Sequence, residues 1–344
     1  MRMLPVYFLI DVSESMIGDT MRQLDEGLAK LSDTLKTIPE ALETAQISII
    51  AFAGKPKVIT PMVEVANFYP PRLPIGGGTS LGAALEKLME RIDRDVTPTT
   101  PDRKGDWKPI VFLLTDGVPT DDPAPAIAKW KEKYARKASL VSISVGGRAD
   151  LKGLRDISDK TMILNDISDH AFTNLITWVT QSITIQSQSV GIGAKGDGVN
   201  LSKALPDELA EDDGRSAGLP DDRFAVIVGK CETNELPFLL KYEKSRAQGD
   251  VYEFRAAQGV SSQYFEMCAD GGAMQEMNVK NLIGGASCPH CPHEITMAHC
   301  GKCGGIHCLD LRTKQAVCPW CGGAGTYGAS APGDPGFNVN RGLG

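Results

Sequence analysis

Apolar and polar positions alternate along residues 1–190 in blocks that have the lengths of strands and helices. Short, nearly continuous apolar runs predict buried strands at Val6–Ile10, Ile47–Phe52, Ile110–Leu114, Leu140–Val145 and Met162–Leu164. Amphipathic stretches between them predict helices at Thr20–Lys36, Leu81–Asp95, Ala124–Lys137 and His170–Ile185. This alternation indicates an α/β, doubly wound, mostly parallel sheet that is covered on both faces. The more polar segment Lys57–Val65, which carries Pro61, is typical of an edge strand.

The pattern changes after residue 190. Residues 191–222 are rich in Gly, Pro and acidic residues, which predicts a linker. Residues 223–328 contain short strand-like runs separated by turn residues, which predicts a small β-rich domain. Residues 329–344 are again rich in Gly and Pro, and we expect a flexible tail there. Two domains agree with the length of 344 residues.

The composition argues against several classes of function. The formal net charge is −7, so bulk electrostatics does not favour nucleic acid as a partner. The sequence contains no apolar stretch long enough to span a bilayer, and we expect no membrane partner. Of the nine cysteines, seven lie between Cys288 and Cys321, mostly in C-x-x-C pairs. Such crowding indicates metal binding in a reducing compartment rather than disulfides, which predicts a cytoplasmic protein.

Three segments place oxygen-bearing side chains near the expected edge of the sheet. "LIDVSES" follows the first predicted strand and supplies Asp11, Ser13 and Ser15. "GGGTS" supplies Thr79 before a helix, and "LLTDG" supplies Asp116 after a strand. Open α/β sheets bind ligands beyond the carboxyl ends of their strands, and oxygen ligands with few carboxylates suit a hard divalent cation such as Mg²⁺. Each segment alone has a simpler interpretation, as a helix N-cap or a turn.

Together, these residues resemble the von Willebrand factor type A domain, whose metal-ion-dependent adhesion site combines D-x-S-x-S with a Thr and an Asp. The resemblance covers roughly residues 1–190 and implies a Rossmann-like fold with Mg²⁺, or Mn²⁺ or Ca²⁺, at this site. It implies that Ser13 and Ser15 bind the cation directly, and that Asp11, Thr79 and Asp116 bind it directly or through water. In that family the cation takes a carboxylate from a partner, so we expect a protein partner that presents an Asp or Glu. Two protein carboxylates at most neutralise the cation, which leaves it attractive to a third.

Catalysis at these residues is not expected. Phosphatases of the haloacid dehalogenase type also place an Asp after a strand, but they need a second Asp where this chain has Ser13. A serine nucleophile would need a histidine base, and residues 1–190 contain only His170, which lies in a predicted helix. The sequence therefore predicts a protein that is not an enzyme.

The cysteine cluster predicts zinc. A C-x-x-C turn places two thiolates on one side of a tight knuckle, as tetrahedral zinc requires. The predicted zinc ligands are Cys288, Cys291, Cys300, Cys303, Cys308, Cys318 and Cys321. One or two zinc ions are expected, and they should hold this small domain folded.

The division of these ligands stays open at the level of sequence. Seven cysteines and one histidine would fill two sites, with His307 as the first candidate and His290, His293 and His299 as alternatives. The other possibility is one four-cysteine ribbon with free thiols, and neither a ribbon nor a cross-braced arrangement is selected. Cys231 and Cys268 lie in strand-like runs, and we expect them to be buried thiols.

A type A domain followed by a cysteine-rich module that ends in "CPWCG" resembles the TerY family of bacterial tellurium-resistance proteins. The resemblance implies a co-encoded protein kinase and PP2C-type phosphatase as partners in a stress or defence module. The function we predict is a non-enzymatic cytoplasmic adaptor that binds partners through the Mg²⁺ site. One alternative is a nucleic-acid-binding protein that uses the zinc module, although Cys288–Cys321 contains only three basic residues other than histidine. Another is a RING-like ligase, which would need a conjugating-enzyme partner.

Overall fold

The structure is a computed structural model. It describes residues 2–146, 149–165, 168–191, 201–203, 205–212, 223–245, 249–269, 275–312, 315–328 and 336–342. The chain forms an N-terminal α/β domain and a C-terminal β-rich domain, as the sequence pattern predicts. Within the described residues, no helix has both the length and the apolar character needed to span a membrane.

The N-terminal domain is built on a seven-stranded sheet. Its strands are β1 (Leu4–Asp11), β2 (Ala45–Phe52), β3 (Pro56–Glu64), β4 (Ile110–Thr115), β5 (Ser139–Val145), β6 (Lys160–Leu164) and β7 (Leu209–Glu211). Its helices are α1 (Asp19–Lys36), α2 (Pro39–Thr44), α3 (Leu81–Asp95), α4 (Ala124–Lys133), α5 (Leu151–Ile157) and α6 (Asp169–Gly191). The strand order is β3-β2-β1-β4-β5-β6-β7, and only the edge strands β3 and β7 run antiparallel to their neighbours. The mostly parallel sheet predicted from sequence is thus confirmed.

Two hydrophobic cores cover the two faces of this sheet. Helices α1, α2 and α6 close one face, with Leu28 and Trp178 in that core. Helices α3, α4 and α5 close the other, with Leu88 and Trp130. Because β1 is central and covered on both sides, all eight of its residues are buried. It carries its last residue, Asp11, to the carboxyl edge of the sheet, where ligands bind in folds of this class.

The sheet continues beyond residue 190, where the sequence predicts that the domain ends. Strand β7 lies in the predicted linker and pairs antiparallel with β6, with Leu209 opposite Leu164. Leu209 is 2% exposed, so this short strand completes the core at the edge. Three residues are too few to show the alternation that identifies a strand, which is why the pattern grouped them with the linker. Residues 192–200, 204 and 213–222 of that predicted linker lie outside the described residues.

The C-terminal domain contains a branched eight-stranded sheet and a separate two-stranded one. Its strands are β8 (Phe224–Lys230), β9 (Pro237–Lys244), β10 (Tyr252–Gly259), β11 (Gln275–Asn278), β12 (Leu282–Ile283), β13 (Ile295–His299), β14 (Ile306–Leu309), β15 (Gln315–Val317), β16 (Ala324–Thr326) and β17 (Asn338–Arg341), and α7 (Gln263–Met267) is a short helix between β10 and β11. Strands β8, β9 and β10 form an antiparallel meander. The β13–β14 hairpin joins this meander through β14, which runs parallel to β8.

The predicted flexible tail, residues 329–344, contributes strand β17. This strand pairs antiparallel with β11 and with β8, and it buries Val339, which is 2% exposed. One apolar residue among Asn, Gly and Arg gives no strand pattern, so the tertiary pairing rather than the local sequence determines this strand. Residues 329–335 and 343–344 of the predicted tail lie outside the described residues.

The two domains share a hydrophobic core. Alternate residues of β8 face opposite sides, so Ala225 and Ile227 pack inside the C-terminal domain while Val226 packs with the N-terminal core. Tyr264 and Met267 of α7 belong to that same N-terminal core. The C-terminal domain therefore lies directly against the carboxyl edge of the N-terminal sheet.

Candidate metal-ion sites

The first loop of the predicted cation site follows the end of β1. Oδ1 of Asp11 accepts a hydrogen bond from the backbone N–H of Ser13 at 2.9 Å, and the Oγ atoms of Ser13 and Ser15 lie 2.9 Å apart. All three residues are at most 3% exposed. Ser13 stands at the N-cap position of a short 3-10 turn but makes no capping hydrogen bond with its side chain. The N-cap interpretation therefore does not account for this serine.

The loop after β4 brings Asp116 to the same place. Strands β1 and β4 are parallel neighbours, so their carboxyl ends lie side by side. Ser15 Oγ donates to Oδ1 of Asp116 at 2.7 Å, and Thr115 Oγ1 donates to Oδ2 of Asp11 at 2.6 Å. Two carboxylates and two serine hydroxyls from separate loops thus form one buried cluster.

Thr79 completes this cluster from the glycine-rich loop before α3. Gly78 has a φ of 91°, a left-handed conformation that allows the loop to turn there. The backbone N–H of Thr79 donates to Thr120 Oγ1 at 2.9 Å, which ties this loop to the loop after β4. A Cβ built at Gly117 would come 3.2 Å from Thr79 Oγ1, so the hydroxyl lies beside the Asp116–Gly117 turn. That hydroxyl is buried and has no hydrogen-bond partner among the residues that the structure describes.

The chemistry of these five side chains fits a hard divalent cation. Their donors are carboxylate and hydroxyl oxygens, which Mg²⁺, Mn²⁺ and Ca²⁺ prefer. Burial and the neighbouring charge of Asp116 raise the pKa of Asp11 above its usual range. A divalent cation between the two carboxylates would offset this repulsion and give the Thr79 hydroxyl a partner. The structure therefore brings all five predicted residues together in an arrangement that a cation would stabilise.

The C-terminal domain holds the first loop of this site, which the sequence did not predict. The Lys241 ammonium on β9 donates to the backbone oxygens of Ser15 at 2.5 Å and Ile17 at 3.1 Å. Tyr264 on α7 donates to Oε1 of the buried Glu14, which lies between the two serines. Burial raises the pKa of Glu14 to about 7. We refer to Lys241 and Tyr264 as the interdomain clamp.

Eight cysteines form two groups of four, in each of which the sulfur atoms lie within 4.8 Å of one another. The first group contains Cys231, Cys288, Cys291 and Cys308. Cys231 follows β8 directly, and Cys308 belongs to the neighbouring strand β14. Burial raises the pKa of the Cys308 thiol, and the neighbouring thiols of the group raise it further.

Cys231 therefore occupies the place for which the sequence proposed a histidine. His307 bonds instead to the Tyr327 hydroxyl and to the backbone oxygen of Cys308. His290 bonds to the backbone oxygen of Pro237, and His299 stacks on Phe337. Nδ1 of His293 lies 3.4 Å from Cys308 Sγ but outside the group of four. The sequence did contain a signal for this eighth ligand. Two four-cysteine sites need eight cysteines and the cluster has seven, so one more had to come from elsewhere in the chain.

The second group contains Cys300, Cys303, Cys318 and Cys321. It consists of two knuckles, in which Gly304 N–H donates to Cys300 O at 2.8 Å and Gly322 N–H donates to Cys318 O at 2.9 Å. Backbone N–H groups, that of Cys303 first, lower the pKa of Cys300, which favours its thiolate. Cys308 of the first group lies in sequence between the two knuckles, so the groups interleave in a cross-braced order. Both groups have the four sulfurs that tetrahedral zinc takes, and the single-ribbon alternative does not match this arrangement.

Cys268 belongs to neither group. Its sulfur accepts a hydrogen bond from the backbone N–H of Gly77 at 3.3 Å and donates to Tyr264 O at 3.2 Å. Burial raises the pKa of this thiol. Cys268 is thus a half-buried thiol at the contact between the domains.

Comparison with solved structures gives similarities at low sequence identity. The SpaC pilus adhesin from Lactobacillus rhamnosus GG is 12% identical, with 54% of this chain and 31% of that chain covered and a TM-score of 0.44. Proximal thread matrix protein 1 from the mussel byssus, in a structure with a zinc-occupied MIDAS motif, is 17% identical, with 53% and 48% covered and a TM-score of 0.40. A von Willebrand factor type A protein from Catenulispora acidiphila is 13% identical, with 78% and 67% covered and a TM-score of 0.41. The chain thus spans about a third to a half of the length of the first two.

Comparison with protein families identifies both parts of the chain. The model of the TerY-C metal binding domain matches residues 221–344. The model of the von Willebrand factor type A domain matches residues 6–177, which is half of the chain. The protein therefore belongs to the von Willebrand factor type A family and carries a TerY-C metal-binding domain as its second part.

Proposed function

We propose that this protein is a non-enzymatic adaptor that captures an Asp or Glu of a partner protein through a divalent cation, Mg²⁺ in the first place. The observation that carries the proposal is the convergence of Asp11, Ser13, Ser15, Thr79 and Asp116 in one buried cluster. Within the described part of the chain, the Thr79 hydroxyl has no hydrogen-bond partner. The two carboxylates at most neutralise the cation. Because the site is largely dry, an incoming carboxylate is attracted strongly.

The serines of this cluster are poorly placed for nucleophilic catalysis. Ser13 and Ser15 bond to each other, and Ser15 also donates to Asp116. In the described part of the chain, no imidazole is among the hydrogen-bond partners of either serine. His170, the histidine of the N-terminal domain, is exposed at the start of α6 and bonds to Asn174. The geometry supports cation binding rather than general-base activation.

Zinc at the two cysteine groups would stabilise the C-terminal domain, which supplies a second contact for partners. Two modest contacts on one chain give tight assembly because the second forms at high effective concentration. Following the resemblance to tellurium-resistance proteins, we propose a co-encoded protein kinase and a PP2C-type phosphatase as the partners, in the cytoplasm, within a stress or defence module.

The test is partner capture with matched variants. The co-encoded kinase and phosphatase are titrated against the wild-type chain, Ser13→Ala and Ser48→Ala, with and without Mg²⁺. Ser48 is a suitable control because it is also fully buried but bonds to Thr60 O on the neighbouring strand β3. Ser13→Ala and removal of Mg²⁺ should each weaken capture by at least about 100-fold. Loss of a residue that merely supports a metal ligand already lowers metal affinity by up to about 100-fold, and Ser13 is a predicted ligand itself.

Mg²⁺ is removed by dialysis, and zinc content is checked by mass spectrometry so that the C-terminal domain stays intact. Capture that survives both Ser13→Ala and the absence of Mg²⁺ contradicts the proposed function.

A further inference from the structure

A cavity of about 670 Å³ lies between the predicted cation site and the second cysteine group. All three loops of the cation site border it, through Glu14, Gly78 and Thr120. The five predicted cation ligands are themselves at most 8% exposed. The cavity thus borders the loops that carry these ligands, although none of the five side chains lines it. Its volume falls within the range of about 300–1,000 Å³ that ligand pockets occupy.

The wall opposite the cation site is built by the two knuckles of the second cysteine group. Gly304 and Gly305 come from the first knuckle, and Trp320 comes from the second. The indole Nε1 of Trp320 donates to Ile306 O at 2.7 Å, and a Cβ at Gly305 would come 2.4 Å from the ring. The indole therefore lies flat on the glycine backbone in one fixed orientation.

Trp320 is held in place and still accessible. It is 36% exposed, whereas the other three tryptophans of the chain are at most 9% exposed. Its ring makes an edge contact with Phe265, which is 42% exposed, and Lys230 Nζ lies 4.4 Å from the ring centre. A rigid, partly exposed indole flanked by a second aromatic ring and a cation is the kind of anchor that dominates protein interfaces.

The lining of the cavity favours a carboxylate with apolar neighbours over a phosphate group. No lysine or arginine is among the described residues that line it. Asp121 accepts from the backbone N–H groups of Gly82 and Ala83 at the start of α3. Oε1 of Glu14 accepts from Tyr264, while its buried Oε2 has no hydrogen-bond partner among the described residues. A bound cation is therefore the feature that would hold an anion here. The glycines leave room for the backbone of an incoming segment.

We propose that this cavity binds a short acidic segment of the partner protein, whose Asp or Glu goes to the cation while an adjacent apolar side chain packs on Trp320. The proposal rests on the proposed function, because it requires the cation to take the carboxylate. It assigns the second cysteine group a role in recognition: its knuckles form the half of the binding surface that selects the residue beside the acid.

The test uses the full-length, zinc-loaded chain and a display pool of short random peptides with one fixed aspartate, selected in Mg²⁺. The selected peptides should be enriched in aromatic or large aliphatic residues next to the aspartate. Labelled versions are then measured by fluorescence anisotropy. Trp320→Ala should weaken binding by about tenfold or more, as expected for an anchor residue. Leu311→Ala is the matched control, because Leu311 is 45% exposed in the same domain but does not line the cavity.

One further measurement tests this inference, and the pattern of outcomes separates it from the proposed function. Bound peptide should protect the wild-type chain from fluorescence quenching by iodide, which reaches Trp320 more readily than the buried tryptophans. Binding that requires Mg²⁺ and Ser13 but is unchanged in Trp320→Ala overturns the inference and leaves the proposed function standing. A pool that yields no Mg²⁺-dependent peptide also overturns it, while capture of the whole partner still decides the proposed function. Binding that ignores both Mg²⁺ and Ser13→Ala overturns both.

Discussion

Replacement of Lys241 by Met should loosen the first loop of the cation site while leaving all five predicted cation ligands in the sequence. The buried ammonium donates to the backbone oxygens of Ser15 and Ile17. Hydrogen bonds to a charged donor contribute about 1.5–3 kcal/mol each, so about 3–6 kcal/mol is lost. Part of this is recovered because Met does not bury a charge, and we expect a net loss of about 2–3 kcal/mol. Part of this loss in free energy disfavours the ordered, cation-binding conformation of the loop. A contribution of about 1.4 kcal/mol lowers the apparent cation affinity about tenfold.

The assay for this prediction is calorimetric titration of Mn²⁺ into the zinc-loaded chain, with the melting temperature measured in parallel. Lys244→Met is the matched control, because Lys244 lies on the same strand with a partly exposed side chain. Its ion pair with Asp250 is long, at 3.8 Å. Lys241→Arg retains a buried donor and should restore part of the affinity. A Lys241→Met variant that melts earlier yet binds Mn²⁺ within about twofold of the wild type refutes the reasoning, because the clamp would then stabilise the fold alone.

The remaining predictions concern protons and zinc. Burial raises the pKa of Glu14 from 4.5 to about 7, so the folded state binds this proton more tightly than the unfolded state. The resulting stabilisation of the fold is complete below pH 4.5 and is lost as the pH rises through about 7. Urea unfolding without Mg²⁺ should show this loss, at most about 3 kcal/mol from Glu14, in the wild type. Glu14→Gln should reduce the pH dependence, while the raised pKa of Asp11 leaves part of it; equal slopes would contradict the assignment. Mass spectrometry should find two zinc ions per chain in the wild type and in Cys268→Ser, and one zinc ion in Cys231→Ser. The two variants differ because Cys231 belongs to a group of four cysteines and Cys268 does not. Two zinc ions retained in Cys231→Ser would show that Cys231 is not a ligand.

The N-terminal fold could be predicted from the sequence because its information is local. The apolar runs of β1, β2, β4, β5 and β6 are long enough to show continuous burial, and parallel pairing then brings their carboxyl ends to one edge. Asp11 and Asp116 lie close together because β1 and β4 are also neighbours in the sheet, an adjacency that the local pattern does not show. Strands β7 and β17 are short and mostly polar, and their pairing partners decide their structure, which no local pattern shows.

The residues that the sequence did not reveal are those whose role depends on a distant part of the chain. Cys231 lies far upstream of the other cysteines, and only the parallel pairing of β14 with β8 brings it to Cys308. Lys241 lies on the same face of β9 as the buried Leu239, which is an unusual position for a lysine. That pattern indicates a buried contact, but it does not say that the contact is a loop in the other domain.

The interdomain clamp has a consequence for how the protein matures during synthesis. Lys241 follows Ser15 by 226 positions, so this loop is synthesised well before the lysine that holds it. A nascent chain that extends as far as β6 already contains all five predicted cation ligands but neither Lys241 nor Tyr264. We therefore expect the loop to gain its final order only when the zinc-binding domain has folded against it. Unfinished chains would then be poor competitors for partner proteins, and capture would be reserved for molecules that have completed both domains.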